Sequence, residues 1–360
     1  MPIIRRQDIP NNTSETVRSI LLAAHMDGAH SVKSQIPAIE TLAEVYANSI
    51  PDSESSFSDF KKALQDKAKN NVETANTILQ SRNLPTISAP TGSAFNNCNG
   101  KWSEYAYAVY AWNFFAELNS KAREDSDTDD YDSYLYVKLP NSDAGNNDWT
   151  HLLVNNITIA LEAYPQRQSS KITDQADSNY GRRFELISSN PDAVILKFPH
   201  QIAEEKIRDL HALDLYSPID NMSHDTISNL DALFRCFIES VIPSKNLQCF
   251  LSIKTSTRPD RRYQWIHEGD HVKSILQWIQ VFSSIAPTPL DSDLNYTDLN
   301  GKFFAISLSK LSGSDENTMN TGTVGSIVSP MLNPVWAVDK LFECITFSQV
   351  GPHLQEMLSF

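Results

Sequence analysis

From residue 95 onward, helical patterns alternate with short apolar runs of strand length, and this alternation is the strongest constraint on the fold. The predicted strands are SYLYVKLP (133–140), RRFELISS (182–189), DAVILKF (192–198), QCFLSIKTS (248–256) and GKFFAISLSK (301–310). The predicted helices cover 102–122, 147–164, 226–242, 262–282 and 335–348. Such alternation predicts an α/β fold in which helices flank a mixed central sheet.

The first part of the chain, residues 1–85, has a purely helical pattern. Three segments, ETVRSILLAAHM, PAIETLAEVYANSI and FSDFKKALQDKAKNNVETANTILQSR, repeat apolar residues at three- and four-residue spacing. Ser56 is placed to cap the third helix. The Pro-, Ser- and Thr-rich segment 83–93 is typical of a linker. We therefore predict a helical N-terminal region over 1–85 and a main domain over 95–360.

The formal charge of −14 argues against non-specific binding of nucleic acid, which usually accompanies a basic excess. Much of the acidity lies in AREDSDTDDYD (122–132), which is typical of a solvated loop. Apolar runs stay well short of the roughly 20 residues of a membrane span, and the N-terminus lacks a signal-peptide pattern. The four cysteines form no CxxC pair, so we expect reduced thiols in a cytoplasmic bacterial protein and no zinc site.

Two predicted strands carry groups suited to metal-assisted phosphate chemistry at their ends. Asn190-Pro191-Asp192 starts one strand, and Ser252-Ile253-Lys254 lies near the end of another. An aspartate can bind Mg²⁺ through oxygen, and a lysine can orient a water or offset charge on a phosphate. Each short motif is a weak signal by itself, because Pro-Asp pairs are common in turns.

A metal site usually needs a second carboxylate. Many nucleases of this general kind carry an acid two residues before the lysine, but here that position is Ser252. Glu268 follows Lys254 by fourteen residues and lies about two turns into the next predicted helix, close to the strand end. Glu104, early in the helix predicted over 102–122, is a further candidate. Either glutamate by itself is also compatible with an exposed helix surface.

The segment SIKTSTRPDRR (252–262) concentrates four cationic side chains around one aspartate in an acidic chain. Arginine binds guanine O6 and N7 bidentately, and aspartate accepts from cytosine N4. Arg258, Asp260 and Arg261 therefore have the groups needed to contact adjacent G and C edges in a major groove. Pro259 would stiffen the segment. The alternative is a solvated helix N-terminus with an Arg–Asp ion pair.

These motifs lie in a longer resemblance to a known family. SNPDAVI (189–195), FLSIKTSTRPDRRYQWIHEG (250–269) and FNNCNGKWSEYAYAVYAWNFF (95–115) closely resemble three blocks of the type II restriction endonucleases that recognise a CCGG core, in the Cfr/Bse-type tetrameric branch. The shorter YVKLPN (136–141) also resembles a family block. The resemblance spans residues 95–282, and its most specific motif is K-x-x-x-R-P-D-R-R followed by a glutamate.

The resemblance implies a role for each matching position. Asp192 resembles the metal-binding aspartate, Lys254 the catalytic lysine, and Glu268 the displaced acid that this branch carries on the helix and that also binds the metal. Ser252 stands where that acid would otherwise be, and Glu104 resembles an additional acidic residue. The residues that resemble the readers of the C and G pairs are Arg258, Asp260 and Arg261.

The resemblance also implies a PD-(D/E)xK nuclease fold and Mg²⁺-dependent cleavage of double-stranded DNA before the first C, leaving four-nucleotide 5′ overhangs. Family members form homodimers, and in this branch two dimers often form a homotetramer that prefers two DNA sites. An interrupted CCNGG core remains an alternative. So do a structure-specific or repair nuclease, a DNA-binding protein without cleavage and a plain interaction domain. The extra length, partly in 122–132 and 309–326, leaves the bases outside the core undetermined.

Overall fold

The structure is a computed structural model of the 360-residue chain. It describes residues 4, 6–26, 36–126, 130–139, 191–208, 213–238, 246–285, 301–319 and 336–360. These form two compact units. The helical unit comprises Met1–Phe114, Pro218–Asp231 and Ile345–Pro352, and the sheet unit comprises Phe115–Ser217, Ala232–Cys344 and His353–Phe360.

The predicted N-terminal helices are present in the helical unit. They are α1 (Glu15–Met26), α2 (Ala38–Val45) and α3 (Phe57–Ser81), and α4 (Gly92–Asp125) begins in this unit. Ser56 caps α3 as predicted, because its hydroxyl accepts a hydrogen bond from the Asp59 amide at 3.0 Å. Apolar side chains of α1 and α3, spaced by three and four residues, pack into one buried cluster: Val17, Ile20, Leu21, Val72, Ala75 and Leu79.

The sheet unit is built on five strands in the spatial order in which they occur in the chain. Their bounds are β1 (Asp132–Lys138), β2 (Ala193–Pro199), β3 (Leu247–Lys254), β4 (Phe303–Ser307) and β5 (Lys340–Glu343). The β1–β2 and β2–β3 pairs are antiparallel, whereas the β3–β4 and β4–β5 pairs are parallel. The predicted mixed sheet is therefore confirmed. Every residue of β4 and nearly every residue of β3 is buried, as continuous apolar runs predict.

Helices pack on this sheet. The bounds of the remaining helices are α5 (His200–Arg208), α6 (His224–Ile238), α7 (Pro259–Ile285), α8 (Gly313–Met319) and α9 (Val350–Ser359). In the sheet unit, α5 contacts β1 and β2, and α7 contacts β3, β4 and α8. Short 3-10 turns cover Arg6–Asp8 and Phe347–Gln349. No described helix has the length and apolar character needed to cross a bilayer.

Two sequence-based predictions are wrong. The α-helix predicted over 335–348 is absent from its described part, residues 336–348: Lys340–Glu343 is strand β5, and the α-helix begins only at Val350. Phe342 and Cys344 are buried while Leu341 and Glu343 are partly exposed, and pairing with the buried strand β4 outweighs the helix-like pattern. The second error concerns the segment 122–132. Its first residues belong to α4, which continues to Asp125, and Asp132 already lies in β1, so only the middle can be a loop.

Some predictions concern segments outside the described residues: the helix over 147–164, the strand over 182–189, the end of the helix beyond Ile238 and the second half of 309–326. The four cysteines are all described, and all are free thiols.

Candidate active site

Asp192 lies directly before β2 and is held there by hydrogen bonds to the chain on both sides, next to β1 and in β3. Its carbonyl accepts from the Leu139 amide at 2.9 Å, and its amide donates to the Leu251 carbonyl at 2.8 Å. β2 begins at the next residue, opposite Leu251, while β3 continues to Lys254. Beyond the start of β2, the Ile253 amide of β3 has no main-chain acceptor on that strand. The Asp192 carboxylate supplies the acceptor instead, because its Oδ2 accepts from the Ile253 amide at 2.5 Å. Main chain and side chain are thus both fixed.

Lys254 lies at the end of β3 between two carboxylates. Its Nζ lies 3.1 Å from Asp192 Oδ2 and 3.2 Å from Glu268 Oε1. The Lys254 side chain is 8% exposed and that of Glu268 is 0% exposed. The structure therefore brings together Asp192 from directly before β2, Lys254 from the end of β3 and Glu268 from α7. We call these three residues the strand-end cluster.

Glu268 reaches the strand end because α7 is anchored to the sheet. The helix starts with Pro259, a residue well suited to the first helical position. Trp265, fully buried, donates its indole N–H to the Ser252 carbonyl at 3.2 Å. At Gly269, an added Cβ would lie 2.1 Å from the Ala337 carbonyl oxygen, so only glycine permits this close approach. The helix face that carries Glu268 is thus pressed onto the sheet.

The charges of the strand-end cluster depend on one another. Burial raises the pKa of Glu268, and the Lys254 ammonium opposes this rise only in part. Burial acts to lower the pKa of Lys254, but Asp192 and Glu268 outweigh it and the pKa lies above its ordinary value. Lys254 therefore remains a cation, and it lies between two carboxyl groups whose oxygens are suited to a metal ion.

Ser252 and Glu104 have different surroundings. The Ser252 hydroxyl lies 3.3 Å from Asp192 Oδ2 and is fully buried, so it contacts the strand-end cluster without adding charge. A side chain of this size leaves room for Glu268 to enter from the helix. Glu104 is half-buried on the part of α4 that belongs to the helical unit, whereas the cluster belongs to the sheet unit. Its role stays a prediction.

Arg258, Asp260 and Arg261, which we call the arginine–aspartate segment, lie at the start of α7 and the turn before it. The side chains of Arg258 and Asp260 are each 61% exposed, and that of Arg261 is 42% exposed. An Arg258 Nη2 donates to Asp260 Oδ2 at 3.2 Å. The ion pair considered from the sequence is therefore present, and these groups remain accessible from solvent.

Arg262, the fourth cation of the sequence motif, makes contacts that stabilise the fold. Its Nε lies 2.8 Å from Asp315 Oδ1 and donates to the Thr257 carbonyl at 2.9 Å. Asp315 is buried on α8, and its other oxygen accepts from the Ser312 amide at 2.6 Å. Arg262 thus ties the turn before α7 to α8. The sequence did not distinguish this arginine from its neighbours.

Gln264 is a residue that the sequence analysis did not identify. Its Oε1 accepts from Arg261 Nη1 at 2.9 Å, and its Nε2 donates to Glu268 Oε1 at 2.8 Å. The spacing of three and four residues along one helix is a signal that could have identified it. One amide therefore connects the arginine–aspartate segment to the strand-end cluster.

Comparison with known proteins places this arrangement in a family. The family model described as Bse634I, Cfr10I/Bse634I restriction endonuclease, matches residues 23–360. The chain belongs to the Cfr10I/Bse634I restriction endonuclease family. The chain is 28% identical to the type II restriction enzyme Cfr10I of Citrobacter freundii over 269 residues, which cover 74% of this chain and 79% of the relative.

Solved structures agree on the fold of this family member. The type IIF restriction endonuclease Bse634I with cognate DNA matches with a TM-score of 0.64 and 24% identity, over 91% of this chain and 93% of that one. A second structure of the Bse634I restriction endonuclease matches with a TM-score of 0.61 and 22% identity, over the same shares. The predicted restriction-endonuclease fold and family are confirmed, and the chain is a site-specific deoxyribonuclease. Restriction endonucleases of this kind generally use divalent metal ions.

Proposed function

We propose that this restriction endonuclease uses Mg²⁺ to cleave double-stranded DNA at a palindrome with a CCGG core. It cuts before the first C and leaves four-nucleotide 5′ overhangs. The observation that carries this proposal is the position of Lys254, within hydrogen-bond distance of Asp192 and Glu268 and four residues before Arg258. One strand-to-helix turn therefore separates the groups proposed for chemistry from those proposed to recognise bases.

The donor set of the strand-end cluster fits Mg²⁺. Asp192 and Glu268 supply carboxylate oxygens, the ligands that this hard cation prefers. Within the described residues, no three His, Cys, Asp or Glu side chains converge into a larger metal-binding group. Two carboxylates suit Mg²⁺, which usually retains several waters and binds a phosphate oxygen of its substrate. When bound, the ion lowers the pKa of water and offsets charge on the phosphate.

The protein groups have separate tasks in the proposed hydrolysis. Asp192 and Glu268 hold the cation. Lys254 donates a hydrogen bond to a phosphate oxygen or to the attacking water, and its charge offsets the negative charge that develops on the phosphate. The water attacks phosphorus in line and gives up one proton to solvent, while the bond from phosphorus to the 3′ oxygen breaks. The 3′ oxygen takes a proton from solvent and leaves as a hydroxyl, and the phosphate stays on the 5′ side.

Base recognition is assigned to the arginine–aspartate segment. Arg258 and Arg261 present guanidinium groups that match guanine O6 and N7, and Asp260 presents an acceptor for cytosine N4. The exposed Arg258–Asp260 ion pair must open for this contact. Exposed pairs of this kind contribute about 0.2–1 kcal/mol, so two base contacts readily replace it. A palindrome is read by two copies of the segment, so we propose a homodimer, and as its further assembly a homotetramer that binds two sites.

Digestion of a sequenced plasmid with purified protein and Mg²⁺, followed by sequencing of the ends, tests the proposal. We expect cuts at every copy of one sequence that contains CCGG, with four-nucleotide 5′ overhangs. Cuts at CCNGG sequences instead would show that the recognised core is the interrupted one. Intact DNA across every CCGG and CCNGG variant, with tight binding retained, would instead indicate a DNA-binding protein without cleavage.

A further inference from the structure

Gln264 makes hydrogen bonds to both Arg261 and Glu268, and each bond uses a different end of its amide. Arg261 is partly exposed and Glu268 is fully buried, so Gln264 spans the boundary between solvent and the strand-end cluster. The Glu268 oxygen that accepts from Gln264 is the same Oε1 that lies 3.2 Å from Lys254 Nζ. A change at Arg261 can therefore reach the buried carboxylate through one side chain.

The orientation of this amide is fixed from both sides. Rotating it by half a turn would place the NH₂ group against the Arg261 guanidinium and the oxygen against the Glu268 carboxylate. Both contacts would be repulsive, so each partner keeps the amide correctly oriented for the other. Helix α7, which carries Gln264, cannot shift to compensate, because Trp265 donates a hydrogen bond to the Ser252 carbonyl and Gly269 lies against the Ala337 carbonyl.

We propose that Gln264 is a positioning residue that makes cleavage depend on base recognition. This inference rests on the proposed function of Arg261 and Glu268. When Arg261 turns to a guanine edge, it withdraws its donor from Gln264 Oε1, and the amide no longer has a partner that holds Nε2 against Glu268. Glu268 Oε1 then has one hydrogen-bond donor fewer and can bind a metal ion beside its contact with Lys254. On a wrong base pair, Arg261 keeps its hydrogen bond to Gln264, and Gln264 keeps its hydrogen bond to the Glu268 carboxylate.

Two variants separate the two hydrogen bonds. Gln264→Met has a similar length and makes neither bond. Gln264→Glu keeps an acceptor for Arg261 but has no NH₂ donor for Glu268. His267→Gln changes an exposed residue of the same helix and is the matched control. Thermal unfolding and circular dichroism establish that each variant is folded.

The experiment uses a duplex that contains the target and one that differs from it at one base pair. The cleavage ratio is the single-turnover cleavage constant on the target divided by that on the altered duplex, both with Mg²⁺, and the binding ratio is the same quotient of association constants in EDTA. In the wild type the cleavage ratio should exceed the binding ratio, and we call the quotient of the two ratios the excess. In both Gln264 variants this excess should fall about tenfold, the size expected for a hydrogen bond to a charged group, while the binding ratio stays unchanged. His267→Gln should retain the full excess.

Three results would overturn the inference. A full excess in folded Gln264→Met would mean that the residue only packs, and a full excess in Gln264→Glu would mean that only the Arg261 contact matters. A parallel fall of both ratios would place Gln264 in DNA binding. If the wild type cuts none of the duplexes, the proposed function fails and this inference with it. That result is distinct from an active enzyme whose excess does not respond to substitution.

Discussion

Lys254 and Glu268 of the strand-end cluster lie close in sequence to the arginine–aspartate segment, yet they differ from it in almost every physical respect. Lys254 and Glu268 are buried, ion-paired and held by strands and by an anchored helix. Arg258 and Asp260 are largely exposed and are paired mainly with each other. The groups proposed for chemistry are thus positioned before DNA arrives. The groups proposed for recognition have partners that DNA can replace with little loss of free energy.

Replacing Lys254 tests the buried side of this comparison and should have the largest effect. Lys254→Met leaves two carboxylates without their cation, and we expect a loss of about 3–5 kcal/mol in the free energy of unfolding. Cleavage should fall by at least about 100-fold because a charged donor to the phosphate is lost. Denaturant unfolding and plasmid cleavage measure the two effects. Normal cleavage by the folded variant would remove Lys254 from the proposed site.

Replacing Arg258 tests the exposed side. Arg258→Ala should weaken binding to the target by about 1–3 kcal/mol, because one bidentate base contact is lost, and binding to random DNA should change much less. Its unfolding midpoint should match that of the wild type. Gel-shift titrations on target and random duplexes at one salt concentration provide the measurement. An equal loss on both DNAs would identify Arg258 as a phosphate contact.

Arg262 lies between the two extremes and sharpens the comparison. Arg262→Ala leaves the buried Asp315 carboxylate with its Ser312 bonds but without its ion pair. We expect about 1–2 kcal/mol lower stability and weaker discrimination between target and random DNA, because the turn before α7 loses its tie to α8. Urea unfolding and gel shifts should show both changes. A fall in DNA binding with no change in stability would mean that Arg262 contacts DNA directly.

The smallest effect is expected for Asp260→Asn. The exposed Arg258–Asp260 pair should contribute about 0.2–1 kcal/mol to folding, so the thermal midpoint should move only slightly. The preference for the target should nevertheless decline, because asparagine presents an NH₂ group as well as an acceptor. A clear drop in the midpoint, measured by calorimetry, would show that the segment stabilises the fold, as the strand-end cluster is expected to do.

Periodicity was sufficient to predict much of the fold. Strands β1 to β4 and the helices α1, α3 and α7 have strong local patterns, and packing in the structure agrees with them. Residues 335–348 were predicted incorrectly because β5 owes its conformation to pairing with a buried strand far away in sequence. The contact of Lys254 with Asp192 and Glu268 was anticipated from motif order. The hydrogen bond of Ile253 to Asp192 depends on strand register, which the residue types alone do not specify.

The differing environments of the four cations also depend on the tertiary structure. Lys254, Arg258, Arg261 and Arg262 form one basic motif in the sequence, but the structure buries the first, exposes the second and pairs the last with Asp315. No local pattern marks Asp315 as a partner, because it lies 53 residues further along the chain than Arg262. Gln264, in contrast, could have been identified from helical spacing alone.

The close approach at Gly269 has a consequence for efforts to give this enzyme a new target sequence. With the helix fixed to the Ala337 carbonyl at Gly269, the residue directly after Glu268, randomising positions 258, 260 and 261 would vary the recognition surface while the backbone beneath it stays still. Such a library should yield many folded members. Gly269 belongs outside it, since any side chain there would push the helix away from the sheet and displace every member's reactive carboxylate together.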